Sequence, residues 1–120
     1  MMGFVAYGLA VLLNLFIIVI GVRFLLVPEA SAAGYGVPDR TSAYRAVKGV
    51  RDLSFGLIGL ALLAFAGAWA AAWFMLAAAV VPFGDTVIVL RNGGSRATAF
   101  GIHFATAAAV LVSAALLFAA

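Results

Sequence analysis

The 120-residue chain contains no cysteine and few charged side chains. Without cysteine it can form no disulfide and no thiolate metal site, and it can carry out no thiol–disulfide chemistry. Only 9% of its residues are charged and 68% are hydrophobic, whereas about a quarter of the residues in a soluble domain are charged. This composition excludes soluble enzymes, nucleic-acid-binding proteins and disordered regulators. We therefore expect an integral membrane protein.

The hydrophobic runs predict four membrane-spanning helices near residues 2–27, 43–66, 68–90 and 98–118, because a helix needs about 20 apolar residues to cross the hydrocarbon core. The segment 29–41 is expected to be a loop, and turns are expected at Gly67 and at residues 92–95. Short connections between four helices predict a single domain over residues 1–120, an all-α antiparallel bundle of four transmembrane helices. A three-span arrangement with one long tilted helix is the alternative.

Glycine and proline positions predict how the helices meet. Gly49, Gly56 and Gly59 lie in the second run and predict a close contact with a neighbouring helix. Pro82 has no backbone donor and disturbs the carbonyl group of Ala78, four residues earlier. We expect a kink there that widens the space inside the bundle.

All ionisable residues other than tyrosine belong to one membrane face of the predicted bundle. They are Arg23, Glu29, Asp39, Arg40, Arg45, Lys48, Arg51, Asp52, Asp85, Arg91, Arg96 and His103. Lysine and arginine are enriched in cytoplasmic connections. We therefore expect this face to be cytoplasmic, with both termini on the non-cytoplasmic side of the plasma (inner) membrane.

Three of the predicted spans carry ionisable side chains at comparable depth. Asp52 is about 13 Å from its helix end, and Asp85 and His103 are each about 8 Å from theirs, at 1.5 Å per residue. These short side chains cannot extend to the lipid headgroups as arginine can, so they are expected to face the bundle interior. We predict these three as catalytic residues. The predicted substrate-binding residues are Arg23, Lys48, Arg51, Asn14 and Thr106.

Each of these residues also has a structural interpretation. Lys48 and Asp52 are four residues apart and could form a local ion pair. Arg23 could reach the lipid headgroups or pair with Asp52 or Asp85. His103 could be a hydrogen-bonded interior histidine. Interhelical hydrogen bonding is the structural interpretation of three uncharged residues: Asn14, Thr106 and Ser113.

Four blocks of sequence resemble a known family. They are GVRFLLVPEA with GYGVP (21–30 and 34–38), KGVRDL (48–53), VPFGDTVIVL (81–90) and HFATA (103–107). Together they are similar to small four-span membrane proteins catalogued as a domain of unknown function, and more loosely to DoxX-like four-helix membrane proteins. The resemblance implies the four-helix fold and no reaction. It also marks the polar positions of the family: Arg23, Lys48, Arg51, Asp52, Asp85 and His103.

The leading functional hypothesis is a cofactor-independent acid/base enzyme, of the isomerase, cyclase or epoxide hydrolase type, acting on a lipophilic small molecule. Two carboxylates and a histidine in a low-dielectric pocket can supply an acid and a base together. Asp52 or Asp85 would be the base and His103 its partner, while Lys48 and Arg51 would hold a carboxylate or enolate-like charge. No metal ion is required, and the other expected partners are membrane lipid and a second copy of the chain, not nucleic acid.

Two other functions are consistent with the sequence. One is a non-catalytic accessory or ligand-binding membrane subunit, in which the charges lock the bundle or dock a partner. The other is a proton-coupled small-molecule carrier, since aspartate and histidine sets inside membranes serve as proton relays.

Overall fold

A computed structural model describes residues 2–36 and 42–120 of the chain. The α-helices are α1 (Met2–Leu26), α2 (Pro28–Tyr35), α3 (Ser42–Phe65), α4 (Ala68–Ala78), α5 (Val80–Arg91), α6 (Arg96–Thr98) and α7 (Ala105–Ala119). A π-helical segment, Ala99–Phe104, connects α6 to α7. The described residues contain no strand. Asp39 and Arg40, which we assigned to the charged face, lie outside the described residues.

Three helical stretches are long and apolar enough to cross a membrane. They are Gly3–Leu26, Ala68–Arg91 and Arg96–Ala119, which identifies the chain as a membrane protein. Helix α3 has 24 residues but is more polar. Any 18-residue stretch of it includes Lys48, Arg51 and Asp52, and charges are costly in the hydrocarbon core.

The segment that follows α1 is helical, so the predicted loop over residues 29–41 is wrong in its first part. Pro28 stands at the start of α2, where its missing N–H is not needed, and Glu29 complements the helix dipole in the first turn. Gly36 ends the helix with a φ of 90°, and its N–H bonds to the carbonyl of Ala32. These local signals outweigh the glycine content of the segment.

The third predicted run is interrupted where proline predicted a kink. Helix α4 ends at Ala78 and α5 begins at Val80, because Pro82 cannot donate to the carbonyl of Ala78. The hydroxyl of Thr86 donates to the carbonyl of Pro82 at 2.8 Å. The helix is therefore interrupted at Ala79, whose φ of −60° and ψ of −22° remain helical, and the kink itself stays a prediction.

Helices α1 and α3 form the most extensive contact in the molecule. A Cβ atom added to Gly49 would lie 2.9 Å from the carbonyl oxygen of Gly21, and one added to Gly56 would lie 2.6 Å from that of Asn14. A Cβ atom at Gly59 would overlap the side chain of Asn14. The predicted close contact through these three glycines is confirmed.

The hydrophobic core lies in the half of the molecule that carries no charge. It is built from small and medium side chains: Ala6, Ala10, Leu63, Ala71, Ala72, Met75, Ala114 and Leu117. Trp69 and Trp73 contact Phe118 edge to face, with centroid distances of 5.0 Å, and are largely exposed. Close packing at this end leaves the charged half of the bundle as the place for a cavity.

Candidate functional site

An inner cavity of about 120 Å³, measured as the volume open to the centre of a water molecule, lies in the charged half of the bundle. Most of its lining is apolar and includes Phe16, Ile17, Phe55, Phe74 and Val110. The polar lining residues are Asn14, Tyr35, Lys48, Asp52, Asp85, His103 and Thr106. The cavity therefore combines a hydrophobic wall with a small set of ionisable groups, as small-molecule sites do.

Asp52 is fully buried and both of its carboxylate oxygens are engaged. Lys48 Nζ lies 2.5 Å from Oδ2, and Arg51 Nη2 lies 3.3 Å from Oδ1. The local ion pair between Lys48 and Asp52 is thus confirmed. Two cations therefore compensate the buried carboxylate.

Lys48 is fixed from a second side by two aromatic rings. Its ammonium group lies 4.7 Å from the ring centroid of Phe24 and 4.7 Å from that of Tyr35. Cation–π contacts of this kind hold an ammonium group in place. Helices α1, α2 and α3 are therefore joined at the cavity by one lysine.

Asp85 is the cavity carboxylate that is not compensated by a cation. Among the residues that the structure describes, it forms no ion pair. Its partner is the hydroxyl group of Tyr35, which donates a hydrogen bond to it. Asp85 therefore differs from Asp52, whose charge is compensated by two cations.

The hydroxyl group of Tyr35 is held in its protonated form. Burial raises the pKa of Tyr35 well above its ordinary value, and the hydrogen bond to Asp85 and the negative charge of Asp85 raise it further. Tyr35 is consequently a hydrogen-bond donor at any physiological pH. It stands at the end of α2, so the chain folds this short helix back over the cavity.

His103 is buried against Tyr35. Its Nε2 lies 3.0 Å from the carbonyl oxygen of Tyr35, and the two rings are 4.5 Å apart at an angle of 63°. A carbonyl oxygen can only accept, so Nε2 carries a hydrogen in this contact. The residue belongs to the π-helical segment, and such segments are frequent at functional sites.

The uncharged polar residues have separate roles. Asn14 lines the inner cavity and donates to Met75 Sδ on α4 at 3.6 Å, which confirms an interhelical contact. Thr106 instead bonds to the carbonyl of Ile102 one turn earlier, and Ser113 Oγ is buried without a partner among the described residues. The interhelical interpretation is therefore wrong for Thr106 and Ser113.

Arg23 and Arg51 lie outside the inner cavity. Arg51 is half-exposed and reaches the site only through Asp52. Arg23 lines a second, outer cavity of about 270 Å³ and forms no ion pair with any described residue, so its alternative pairing with Asp52 or Asp85 is not formed. The lining of the outer cavity consists of Phe16, Ile20, Arg23, Phe24, Ala30, Ser31, Gly34, Tyr35, Ile102 and His103.

The three predicted catalytic residues share the inner cavity without meeting at one point. Asp52, Asp85 and His103 all contribute to its wall. In residues 2–36 and 42–120, no three histidine, aspartate or glutamate side chains come close enough together to hold a metal ion.

Sequence reasoning missed Tyr35, which contacts Lys48, Asp85 and His103. The available signal was the proline and glutamate that begin α2 and the glycine that ends it, which together predict a short helix. A tyrosine in the last turn of that helix could then have been assigned to the cavity.

Comparisons with known proteins give one match. Neither the comparison with curated proteins nor the comparison with solved structures finds a match to this chain. The sequence profile of a family described as "Domain of unknown function (DUF4267)" matches residues 14–117. That range includes every predicted site residue and all the lining residues of both cavities except Leu13. The chain therefore belongs to the DUF4267 family.

Proposed function

We propose that this protein is an integral membrane enzyme that binds a lipophilic small molecule in the inner cavity and uses Asp85 as its proton acceptor. The observation that carries the proposal is the state of Asp85, which lines an apolar cavity, forms no ion pair with the described residues and accepts a hydrogen bond from Tyr35. A structural carboxylate would instead be compensated as Asp52 is.

The chemistry is general acid/base catalysis without a cofactor. Asp85 removes a proton from a carbon next to a carbonyl group, and the Tyr35 hydroxyl stabilises the negative charge that develops on the carbonyl oxygen. The proton is then returned to a second carbon, which completes an isomerisation. His103 Nδ1 is placed to orient the substrate, while Asp52 holds Lys48 in position. Cyclisation and epoxide hydrolysis need the same acid and base.

A carrier function has less support. The core that packs around Ala10, Ala72 and Leu117 closes the uncharged half of the bundle. A proton or solute path needs polar groups to continue across the membrane. Ser113 is buried in this half, but its hydroxyl has no partner among the described residues to continue such a path.

The proposal includes the topology of the chain. We place α3 in the membrane as a fourth span, as in DoxX-like four-helix proteins, because it packs along α1 and its buried charge Asp52 is paired. The charged face is then cytoplasmic and both termini are non-cytoplasmic, in the plasma (inner) membrane.

The test uses the full chain in liposomes with two sets of lipophilic probes, β,γ-unsaturated ketones and terpene epoxides. Conjugated enone absorbance reports isomerisation, and chromatography of diols reports hydrolysis. We expect turnover by the wild type and a fall of about 10²–10⁴-fold in kcat for Asp85→Asn, the usual contribution of a general base. Glu29→Gln removes an exposed carboxylate outside both cavities and serves as the matched control.

Equal turnover by the wild type and by Asp85→Asn would overturn the assignment of the base. If the wild type binds these probes without converting any of them, the protein is a ligand-binding membrane subunit and not an enzyme.

A further inference from the structure

The inner and outer cavities adjoin each other inside the molecule. They share five wall residues: Phe16, Ile20, Tyr35, Ile102 and His103. The outer cavity is the larger of the two, at about 270 Å³ against about 120 Å³. A molecule bound beside Asp85 would therefore have a second compartment next to it, separated only by side chains.

Arg23 gives the outer cavity a positive charge. It lies in the last turn of α1, is exposed, and has no carboxylate partner among the described residues. A guanidinium group offers a planar fork of donors that matches carboxylate and phosphate oxygens in a bidentate manner. The other charged side chains near the cavities, Lys48 and Arg51, are already engaged by Asp52.

The wall that α2 contributes leaves space beside this charge. Ala30, Ser31 and Gly34 are small, and a Cβ atom added to Gly34 would meet no atom within 4 Å. The opposite wall, from Phe16 and Ile20, is apolar. The compartment thus offers one cation, free volume and a hydrophobic lining that continues to the inner cavity.

We propose that the outer cavity is an anion subsite, in which Arg23 binds the carboxylate or phosphate monoester group of a lipophilic substrate whose apolar part occupies the inner cavity. This inference rests on the proposed function and names its substrate class. Nine residues of α1 separate Asn14, in the inner cavity, from Arg23, which corresponds to about 13 Å of helix. A medium-length acyl or prenyl chain with a terminal anion has suitable dimensions.

The experiment measures binding of three probes of equal chain length by calorimetry, with the full chain in phosphatidylcholine nanodiscs. Laurate carries a carboxylate, dodecyl phosphate carries a phosphate monoester and dodecanol is uncharged. We expect laurate or dodecyl phosphate to bind about tenfold or more tightly than dodecanol, as one charge-assisted bidentate contact would give. The probe that binds more tightly identifies the anion.

Separate variants test the charge of Arg23 and the open volume of the outer cavity. Arg23→Gln should remove the preference for the anionic probes and leave dodecanol binding unchanged. Arg91→Gln, which removes an exposed arginine outside both cavities, should retain the preference. Gly34→Leu adds bulk on a helical residue with open space, so it should fold and should weaken laurate binding at least tenfold through occlusion.

Two results would overturn the subsite: equal affinities of the wild type for laurate and dodecanol, or a preference that survives in Arg23→Gln. The proposed function fails separately. Asp85→Asn should keep the laurate preference and lose turnover of the ketone and epoxide probes, so a variant that keeps both leaves the subsite standing and overturns the assignment of Asp85 as the base.

Discussion

At the scale of the residue, two aspartates in the same cavity are in different electrostatic states. The i, i+4 spacing of Lys48 and Asp52 predicts their ion pair, because residues four apart share a helical face. The state of Asp85 could not be predicted in this way, since its partner Tyr35 is about 50 positions away. The burial of a carboxylate is therefore easier to predict from the sequence than the presence of a neighbouring cation.

The raised pKa of Tyr35 leads to a direct prediction. Ultraviolet titration in detergent should show one phenol, that of Tyr35, ionising at clearly higher pH than the ordinary tyrosine pKa of about 10. Asp85→Asn should lower the pKa of Tyr35 without restoring the ordinary value, because burial is the largest cause of the shift. Tyr35→Phe assigns the signal, and simultaneous ionisation of all three phenols would contradict the prediction.

The same shift sets the direction of a pH effect on stability. Folded Tyr35 keeps its proton at pH values where an unfolded tyrosine loses it. Its contribution to the free energy of unfolding is therefore fully present below about pH 10 and is lost as the pH rises through the folded-state pKa. Chemical unfolding of the wild type and of Tyr35→Phe between about pH 8 and about pH 11, a range that spans the ordinary tyrosine pKa, should show the wild type losing more stability at the upper end.

At the scale of the element, the long helices were predictable and the short features were not. The predicted runs 2–27 and 43–66 agree with α1 and α3 within a residue at each end. Helix α2 has only eight residues and a mixed composition, so hydropathy does not detect it. The π-helical segment around His103 depends on how α5 and α6 fit together, and no periodicity in the sequence encodes it.

The glycine contact between α1 and α3 predicts that an alanine substitution destabilises the protein at Gly56 and not at Gly8. Gly56→Ala places a methyl group 2.6 Å from the backbone oxygen of Asn14, which cannot move away as a side chain can. We expect a loss of about 1–3 kcal/mol in the free energy of unfolding, the usual cost of overpacking. Gly8→Ala, on the open face of α1, is the matched control and should leave stability unchanged or slightly higher.

Thermal unfolding in one detergent compares the three proteins. A Gly56→Ala variant as stable as Gly8→Ala would show that the two helices are not in close contact in the membrane.

At the scale of the whole molecule, the closely packed core and the two cavities lie in opposite halves of the bundle. The alanine-rich core fills the uncharged half, and both cavities lie in the charged half. The sequence predicted this division, because antiparallel topology brings all the charged helix ends to one face. It did not predict two cavities, since their separation depends on the ring contact between Tyr35 and His103.

The absence of cysteine makes the topology directly testable. Ala66→Cys lies in the turn between α3 and α4, and Asn92→Cys lies in the turn between α5 and α6. If α3 spans the membrane, an impermeant maleimide should label these two positions from opposite sides. Glu29→Cys should behave like Asn92→Cys, and Ala71→Cys, which is buried, should stay unlabelled on intact cells. Labelling of Ala66→Cys and Glu29→Cys from the same side would establish the three-span arrangement.

If α3 is the fourth span, its ion pairs also bear on how the chain enters the membrane during synthesis. Lysine, arginine and aspartate each cost about 2.5–3.5 kcal/mol at the centre of an inserting helix, so nascent α3 is a poor stop for the translocon when it emerges alone. Its Asp52 is neutralised within the helix by Lys48 and Arg51, but its glycine face is covered only by α1. We expect α1 to remain beside the translocon and to insert together with α3 as a helical hairpin. Insertion of the second half of the chain then depends on the first half.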